Sequence, residues 1–168
     1  MATDNPNRPA VFPSGYHTVN PWVIPKGAPK FIDFLVNVFE GEETPEARIP
    51  DEDGLLIHAE VKVGDSVIMI FDSKPDWPVT PSFLQVYVDD AKAVLTRAKE
   101  QGADIITELT DAWYGEKLAR FRDPWGNLWW LNERVDETAE WEQEEEQAGA
   151  EGNYIKDTLV DAMKGVGR

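Results

Sequence analysis

The sequence predicts an α+β fold in which one βαβββ module occurs twice and a C-terminal helical extension follows. Three observations support this fold class. The order strand, helix and three strands is found over residues 17–72 and again over residues 82–132, as a large internal repeat. Each copy contains one helix with a single apolar face. Each copy also has a glycine-containing hairpin turn before its last strand, at Gly64-Asp65 and at Gly126-Asn127.

The first copy opens with an edge strand. We predict this strand over His17 to Ile24, and Pro21 within it indicates a sheet edge or a bulge. A helix follows from Ala28 to Phe39, because apolar residues recur there at helical spacing, and Gly41 ends it. The remaining elements are a strand with a loop over 43–52 and strands over 55–63 and 66–71.

A proline-rich linker over residues 73–81 separates the two copies. The second copy begins with a strand over 83–88. Asp89 or Asp90 caps a helix that runs through Lys99, because an Asp side chain accepts hydrogen bonds from the free N–H groups of a first turn. Strands follow over 104–109, 117–122 and 128–131.

Three segments lie outside the repeat. We predict a flexible N-terminal arm over residues 1–16, an acidic segment over 133–152 and an amphipathic helix over 153–168. Residues 133–151 carry nine carboxylates against one arginine, which is half of the net charge of −16. We interpret the terminal helix as one that docks on its own domain or on a dimer mate. A peptide that recruits a partner is the alternative interpretation.

The composition limits the classes of partner. A net charge of −16 argues against binding to nucleic acid or to an anionic membrane. The chain has no cysteine, which excludes disulfides and thiolate metal sites. No apolar run is long enough to span a membrane, and the polar N-terminus has no apolar signal core. We therefore expect a cytoplasmic protein.

Four phrases, in order along the chain, point to a known family: His58–Ser66, Val86–Asp90, Trp113–Lys117 and Arg122–Gly126. Together with the repeat they resemble the vicinal oxygen chelate superfamily, which includes glyoxalase I, bleomycin-resistance proteins and extradiol dioxygenases. The resemblance is greatest to its PhnB-like, glyoxalase-like branch and covers about residues 17–140. It implies two modules whose mixed sheets curl around a cavity for a small-molecule ligand, in a homodimer.

The resemblance also implies where a metal would bind. Metal-using members carry His or Glu ligands at four strand positions, which fall here near Asn20, Met69, Phe83 and Trp130. Among these residues only Asn20 has an oxygen, and none is a usual ligand of a divalent metal. We therefore expect no metal and no cofactor, and neither glyoxalase I nor dioxygenase chemistry.

His58 and Glu60 are the candidate catalytic residues. They share one face of a strand, so a base and a carboxylate would lie side by side. The alternative is a polar pair on a solvated or dimer-facing surface of the sheet. His17 lies at the start of the first strand and is expected at the surface. A metal site formed by His17, His58 and Glu60 is a third interpretation.

A second set of residues lies on the strand faces that would line the cavity. Strand alternation places aromatic, apolar and amide side chains there, which suits a flat or apolar ligand. Trp113 and Arg120 are predicted at the rim, where Arg120 would pair with an anionic ligand or with a nearby acid. The alternative is that these side chains fill the core. The candidate ligand-binding residues are Trp22, Met69, Phe83, Gln85, Tyr87, Trp113, Arg120 and Trp130.

Three functions follow from these patterns. The first is metal-independent binding of a small aromatic or apolar molecule in an inter-strand cavity. The second is a glyoxalase-like lyase, isomerase or transferase that uses His58 and Glu60, so the question of whether the protein is an enzyme stays open. The third is an accessory module that docks to a partner through the acidic tail and the terminal helix.

Overall fold

The computed structural model describes residues 13, 15–136 and 149–164, so most of the predicted N-terminal arm and acidic segment lie outside the described residues. The first module comprises β1 (Trp22–Val23), α1 (Ala28–Phe39), β2 (Glu42–Glu43), a 3-10 turn (Pro45–Ala47), β3 (Ile49–Pro50), β4 (Leu56–Val63) and β5 (Ser66–Ile70). The second comprises β6 (Phe83–Tyr87), α2 (Ala91–Glu100), β7 (Asp104–Ala112), β8 (Glu116–Arg122) and β9 (Leu128–Arg134). Helix α3 (Gly149–Met163) follows. None of the described helices is long and apolar enough to cross a membrane.

The two modules share one strand order, which confirms the predicted fold class and its repeat. The first sheet has the order β1-β5-β4-β2, with the short β3 pairing to β4, and the second has the order β6-β9-β8-β7. In each sheet the first strand pairs in parallel with the last strand of its module, and the other neighbours are antiparallel. Both sheets are therefore mixed.

The strand register identifies equivalent positions in the two modules. Met69 on β5 lies opposite Trp22 on one side and Glu60 on the other. Trp130 on β9 holds the same place in the second sheet, between β6 and β8. The register makes three pairs of positions equivalent: Trp22 with Gln85, Glu60 with Arg120, and Met69 with Trp130.

A carboxylate near the C-terminal end of the last strand of each module, within the strand at Glu133 and two residues beyond it at Asp72, holds the start of that module's helix. Asp72 Oδ1 accepts hydrogen bonds from the backbone N–H groups of Gly27 at 2.9 Å and Ala28 at 2.6 Å. Glu133 Oε2 accepts a hydrogen bond from the backbone N–H of Ala91 at 2.9 Å. These N–H groups have no partner inside their own helix, so a carboxylate from the sheet satisfies them and fixes helix to sheet.

Both modules bury their inner faces in one shared core. Phe39 of α1 lies 4.7 Å, ring centre to ring centre, from Trp129 of β9, and Phe34 lies 6.3 Å from Phe121 of β8. The two helices and the inner faces of both sheets belong to this single apolar cluster. Strand alternation therefore turns the other face of each sheet away from the core. The described chain thus has two separate outer faces, and the expected curling of both sheets around one cavity is not seen within it.

The irregular elements lie at the start of the first module. Strand β1 has two residues, whereas the sequence predicted eight, because Asn20 and His17 close a turn through two side-chain hydrogen bonds to backbone. At the end of α1 the left-handed residue is Glu40, with φ 55°, and Gly41 was expected there. Gly41 is required for space, because a Cβ at this position would lie 2.8 Å from Val61 Cγ1.

Helix α3 lies on the outer face of the second sheet. It begins at Gly149, four residues before the predicted start at Asn153. Thr158 Oγ1 lies 2.8 Å from Thr107 Oγ1 of β7, and Arg122 Nη2 of β8 donates to the Ala162 carbonyl at 2.8 Å. The terminal helix therefore docks on its own chain, which is one of the two docking arrangements considered from the sequence.

Candidate functional site

The first outer face brings His58 and Glu60 together, as the sequence predicted. His58 Nε2 lies 2.8 Å from Glu60 Oε1, and the Tyr16 hydroxyl donates to the same oxygen at 2.5 Å. The Trp22 ring packs edge-on against the His58 ring at a centroid distance of 5.5 Å. Tyr16 was not found by sequence reasoning, because it lies in a segment without periodicity, 44 residues from its partner.

Glu60 is held as a carboxylate. The residue is 8% exposed. Burial alone would raise the pKa of Glu60, but the hydrogen bonds from Tyr16 and His58 outweigh burial and hold the pKa below its usual value. The same hydrogen bond to Glu60 raises the pKa of Tyr16, so the phenol keeps its proton. The arrangement has the parts of a proton-transfer site: a carboxylate, an imidazole and a phenol in contact.

His17 does not join this group. Its Nε2 lies 2.9 Å from the backbone carbonyl oxygen of Asp65 and 3.9 Å from that residue's carboxylate. Among residues 13, 15–136 and 149–164, no group of three or more His, Cys, Asp or Glu side chains is arranged to hold a metal ion. The interpretation of His17, His58 and Glu60 as a metal triad is therefore wrong for the described chain.

The four positions that carry metal ligands in metal-using relatives do not suit a metal here. The residues opposite Met69 and Trp130 on the first strand of each module are Trp22 and Gln85, two positions from Asn20 and Phe83, which were chosen by spacing. The side chains at these positions are two indoles, a thioether and an amide. Divalent metals bind imidazole, carboxylate and thiolate far better than these groups, so the residues do not fit a metal centre.

The second outer face carries an aromatic cluster. The Phe83 and Trp130 rings lie 6.1 Å apart, centre to centre, and Phe83 is 48% exposed. The guanidinium carbon of Arg120 lies 3.6 Å from the centre of the Trp130 ring, a close cation–π contact. Gln85 Nε2 donates to Asn132 Oδ1 at 3.2 Å and places an amide beside the rings. Five of the predicted ligand-binding residues share this face with Asn132: Phe83, Gln85, Tyr87, Arg120 and Trp130.

Arg120 is buried beneath helix α3, whereas the sequence placed it at a rim. Its side chain is 0% exposed. Nη1 donates to Thr107 Oγ1 at 3.2 Å and to the Ile155 carbonyl of α3 at 2.7 Å. Within the described chain, Nε and Nη2 of Arg120 and Nε1 of Trp130 have no hydrogen-bond partner. Burial lowers the pKa of Arg120 to about 10.

A polar corner adjoins the aromatic cluster. Asn132 Nδ2 donates to Glu116 Oε2 across strands β8 and β9. Burial is the main cause that raises the pKa of Tyr114, with Glu116 as the next cause. Asn132 and Glu116 were not predicted from the sequence, although strand alternation could have found them. Asn132 is two residues after Trp130 and Glu116 is four before Arg120, so each shares the strand face of a predicted ligand-binding residue.

Two concave spaces lie beside the second sheet. One, of about 520 Å³, lies between β7 and α3 and is lined by Trp113 and Glu151, among others. The other, of about 810 Å³, is a cleft between the β4–β5 hairpin and the β6 edge with α2, and Gln85 and Tyr87 line it. The structure therefore divides the predicted ligand residues between two outer faces and does not bring them together in one cavity.

The sequence and the fold are similar to those of known proteins of one superfamily. The model of the Glyoxalase/Bleomycin resistance protein/Dioxygenase superfamily matches residues 17–131. An uncharacterized protein of Mycobacterium bovis is 31% identical over 130 residues, which cover 71% of this chain and 84% of that protein. TioX from Micromonospora sp. ML1 matches with a TM-score of 0.57 and 23% identity, over 73% of this chain and 100% of that chain. A Bacillus cereus PhnB protein, described as a putative 3-demethylubiquinone-9 3-methyltransferase, matches with a TM-score of 0.54 and 21% identity, over 70% and 99%.

Proposed function

The chain belongs to the Glyoxalase/Bleomycin resistance protein/Dioxygenase superfamily, as its motifs indicated, and we propose that it binds a small aromatic or apolar molecule without a metal. The ligand lies on the outer face of the second sheet, against Phe83 and Trp130. The observation that carries this proposal is the partly exposed aromatic cluster on a sheet face that lies outside the shared core and that α3 covers only in part.

The side chains of this face suit a flat ligand. Phe83 and Trp130 provide ring faces for stacking, and the Gln85 amide provides donors and acceptors for one polar group. Tyr87 is 62% exposed and extends the aromatic surface along β6. Large apolar side chains that stay exposed together on one face indicate a binding surface, whereas scattered ones do not. A few polar groups among aromatic ones are typical of small-molecule sites.

The proposal is metal-independent because of the residue types at the four strand positions. Trp22, Met69, Gln85 and Trp130 supply no imidazole, carboxylate or thiolate. Binding energy must then come from burial and stacking. A ligand that buries one aromatic ring against Trp130 gains about 0.5–1.5 kcal/mol from ring geometry, in addition to area burial.

A homodimer completes the proposal. Each outer face carries exposed aromatic residues, with Trp22 at 45% and Phe83 at 48% exposure. A second copy of the chain would cover both surfaces and enclose a ligand between them, which removes apolar area from water. Sedimentation equilibrium tests this part of the proposal. A monomer at concentrations well above those used for binding would contradict it.

Calorimetric titration with 2-naphthamide, a flat neutral probe, tests the binding proposal. Substituting Phe83→Ser should weaken binding by about tenfold, because a stacking ring and its buried area are lost. The control is Val36→Ser on α1, which is similarly exposed at 39% but lies outside the proposed site. Equal affinity of wild type and Phe83→Ser, or a complete absence of binding to wild type, would exclude the proposed aromatic site.

The contact of His58, Glu60 and Tyr16 supports a second candidate, a glyoxalase-like lyase, isomerase or transferase on the first outer face. An ionised Glu60 with His58 at 2.8 Å is able to move a proton on a carbonyl substrate. The hemithioacetal of methylglyoxal and glutathione is a suitable probe substrate. Turnover should be lost in Glu60→Gln and kept in Glu46→Gln, a control at an exposed position. Absence of turnover by wild type would count against this candidate.

A further inference from the structure

We propose that Arg120 receives the carboxylate of an anionic aromatic ligand, and that helix α3 covers this position until the ligand displaces it. The inference rests on the proposed function and adds the charge of the ligand and the means of access. Its basis is the geometry of the guanidinium, the missing counter-charge and the weak packing of α3.

The free edge of Arg120 has the shape of a carboxylate receptor. Nε and Nη2 are the two nitrogens on the same side of a guanidinium, and within the described residues both lack an acceptor. Two parallel N–H groups match the two oxygens of a carboxylate in a bidentate pair. Nη1, on the opposite side, is already occupied by Thr107 and Ile155. The Nε–Nη2 edge of the guanidinium therefore has both of its N–H groups available for a ligand.

The counter-charge of Arg120 is also absent from the described residues. No carboxylate in this part of the chain lies within 4.0 Å of its nitrogens, although the molecule has a large acidic excess. Buried guanidinium groups are usually paired, because an uncompensated buried charge is costly. The indole N–H of Trp130, beneath the guanidinium, has no partner in the described chain either. Three buried donors at one place indicate a ligand that accepts hydrogen bonds.

Helix α3 is a weakly packed cover. Its buried residues are Gly152, Ile155 and Ala162, and Ile155 is the only large apolar side chain among them. Burying one such side chain is worth about 1.5–3 kcal/mol, which is small for a helix of this length. Its polar contacts to the sheet include the Thr107–Thr158 pair and the Ile155 carbonyl on Arg120. A ligand carboxylate on Nε and Nη2 would give Arg120 a charged acceptor, whereas α3 supplies only a neutral carbonyl, and that carbonyl is bound to Nη1.

Paired titrations with 2-naphthoate and 2-naphthamide test the anion position in the full-length protein. The probes share one ring system, and only the first is an anion at neutral pH. Wild type should bind 2-naphthoate at least about tenfold more tightly, since a bidentate charged pair is stronger than neutral hydrogen bonds. Arg120→Met should abolish this preference, and Arg120→Lys should reduce it, because an ammonium lacks the fork.

Arg122→Met is the matched control for this experiment. Arg122 lies on the same strand face and also donates to α3, but its hydrogen bond goes to the Ala162 carbonyl. The preference for 2-naphthoate should survive in this variant. Equal affinity of wild type for both probes, or loss of the preference in Arg122→Met as well, would overturn the assignment to Arg120. Circular dichroism is the check that each variant is folded.

A reversible disulfide tests the cover. The Thr107 and Thr158 hydroxyl oxygens are 2.8 Å apart, and the chain has no cysteine, so Thr107→Cys with Thr158→Cys forms one defined bridge. The oxidised protein should bind 2-naphthoate at least about tenfold more weakly than the same protein after reduction. The two single variants should not respond to oxidation. Unchanged affinity in the oxidised double variant would overturn the displacement of α3.

The outcomes separate this inference from the proposed function. Binding of both probes with equal affinity would sustain the aromatic site and overturn the anion position. Failure of both probes would exclude the aromatic site, and acetate then tests Arg120 independently through the nitrogen-15 NMR shift of its Nε. A shift that is saturable with acetate and absent after Arg120→Lys supports the anion position, and no shift overturns it.

Discussion

The outer faces of the two modules place opposite charges at the same position of one repeated sheet. On the first face, Glu60 has two hydrogen-bond donors on one oxygen and lies beside exposed Trp22. On the second, Arg120 is fully buried and, among the described residues, has no acceptor along one edge of its guanidinium. The first charge is satisfied by its own chain, and the second is the one that we propose for a ligand carboxylate. The repeat therefore preserves the backbone and lets the chemistry of the two faces diverge.

In contrast to the two outer faces, the contacts between a sheet carboxylate and the start of a helix occur in both modules. Asp72 follows the last strand of the first module, and Glu133 lies near the end of β9; Asp72 accepts from two backbone N–H groups at the start of its helix and Glu133 from one. These carboxylates fix the distance between helix and sheet, which both modules need. The comparison separates residues that build the module from residues that distinguish one face from the other, and mutations at both kinds of position test this separation.

The largest expected effect is at Asp72. Substituting Asp72→Ala should lower the free energy of unfolding by about 3 kcal/mol, because three backbone N–H groups, those of Gly27, Ala28 and Leu56, lose their acceptor. Glu133→Ala should cost only about 1 kcal/mol, since one N–H is affected and the Asp90 side chain still caps α2. Urea denaturation measures both values. Equal losses in the free energy of unfolding would contradict the prediction that Asp72 contributes more to stability than Glu133.

Glu60 gives the next effect, and it depends on pH. Glu60→Gln should lower the free energy of unfolding by about 1–2 kcal/mol at neutral pH, because hydrogen bonds to a charged acceptor are lost. A carboxyl group whose pKa is lowered in the folded state adds stability above its unfolded pKa and loses it as the pH falls through the folded value. The difference between wild type and variant should therefore shrink as the pH falls below about 5 and the carboxyl group takes up a proton. A difference that stays constant below about pH 5 would contradict the assignment, and Glu46→Gln, at an exposed position, serves as the surface control.

The sequence predicts the repeated module well because periodicity and turns are local signals. The helix α1 was predicted with its observed bounds, Ala28–Phe39, and most strands agree within a few residues. The contact of His58 with Glu60 was also predicted, since strand alternation alone places them on one face. The burial of Arg120 was missed, because it depends on a helix that begins 29 residues later in the chain. Contacts between distant segments, such as Tyr16 with Glu60, leave no local pattern.

Arg120 should respond to substitution with the opposite sign from Glu60. Arg120→Met should raise the free energy of unfolding by about 1 kcal/mol, because an apolar side chain of similar length removes a buried charge that lacks a counter-charge among the described residues. Thr107 keeps its contact with Thr158, so the loss of one donor leaves it paired. Urea denaturation without ligand measures the change. A loss of stability similar to that of Glu60→Gln would show that Arg120 is a structural residue like its counterpart.

The smallest effect on global stability is expected at Ile155, and it separates the covered face from the open one. Ile155→Ala should change the free energy of global unfolding by less than about 0.5 kcal/mol, because α3 detaches as a local unit while the shared core stays folded. The backbone N–H of Glu108 reports on this detachment, since it donates to the Tyr154 hydroxyl of α3 at 2.9 Å. Its hydrogen exchange should accelerate by about tenfold or more, as burial of the isoleucine is lost. Amides of β4 on the first module should not change. If Ile155→Ala instead lowered the global stability by about 2 kcal/mol or more, as for a core isoleucine, α3 would be an integral part of the second module and not a displaceable cover.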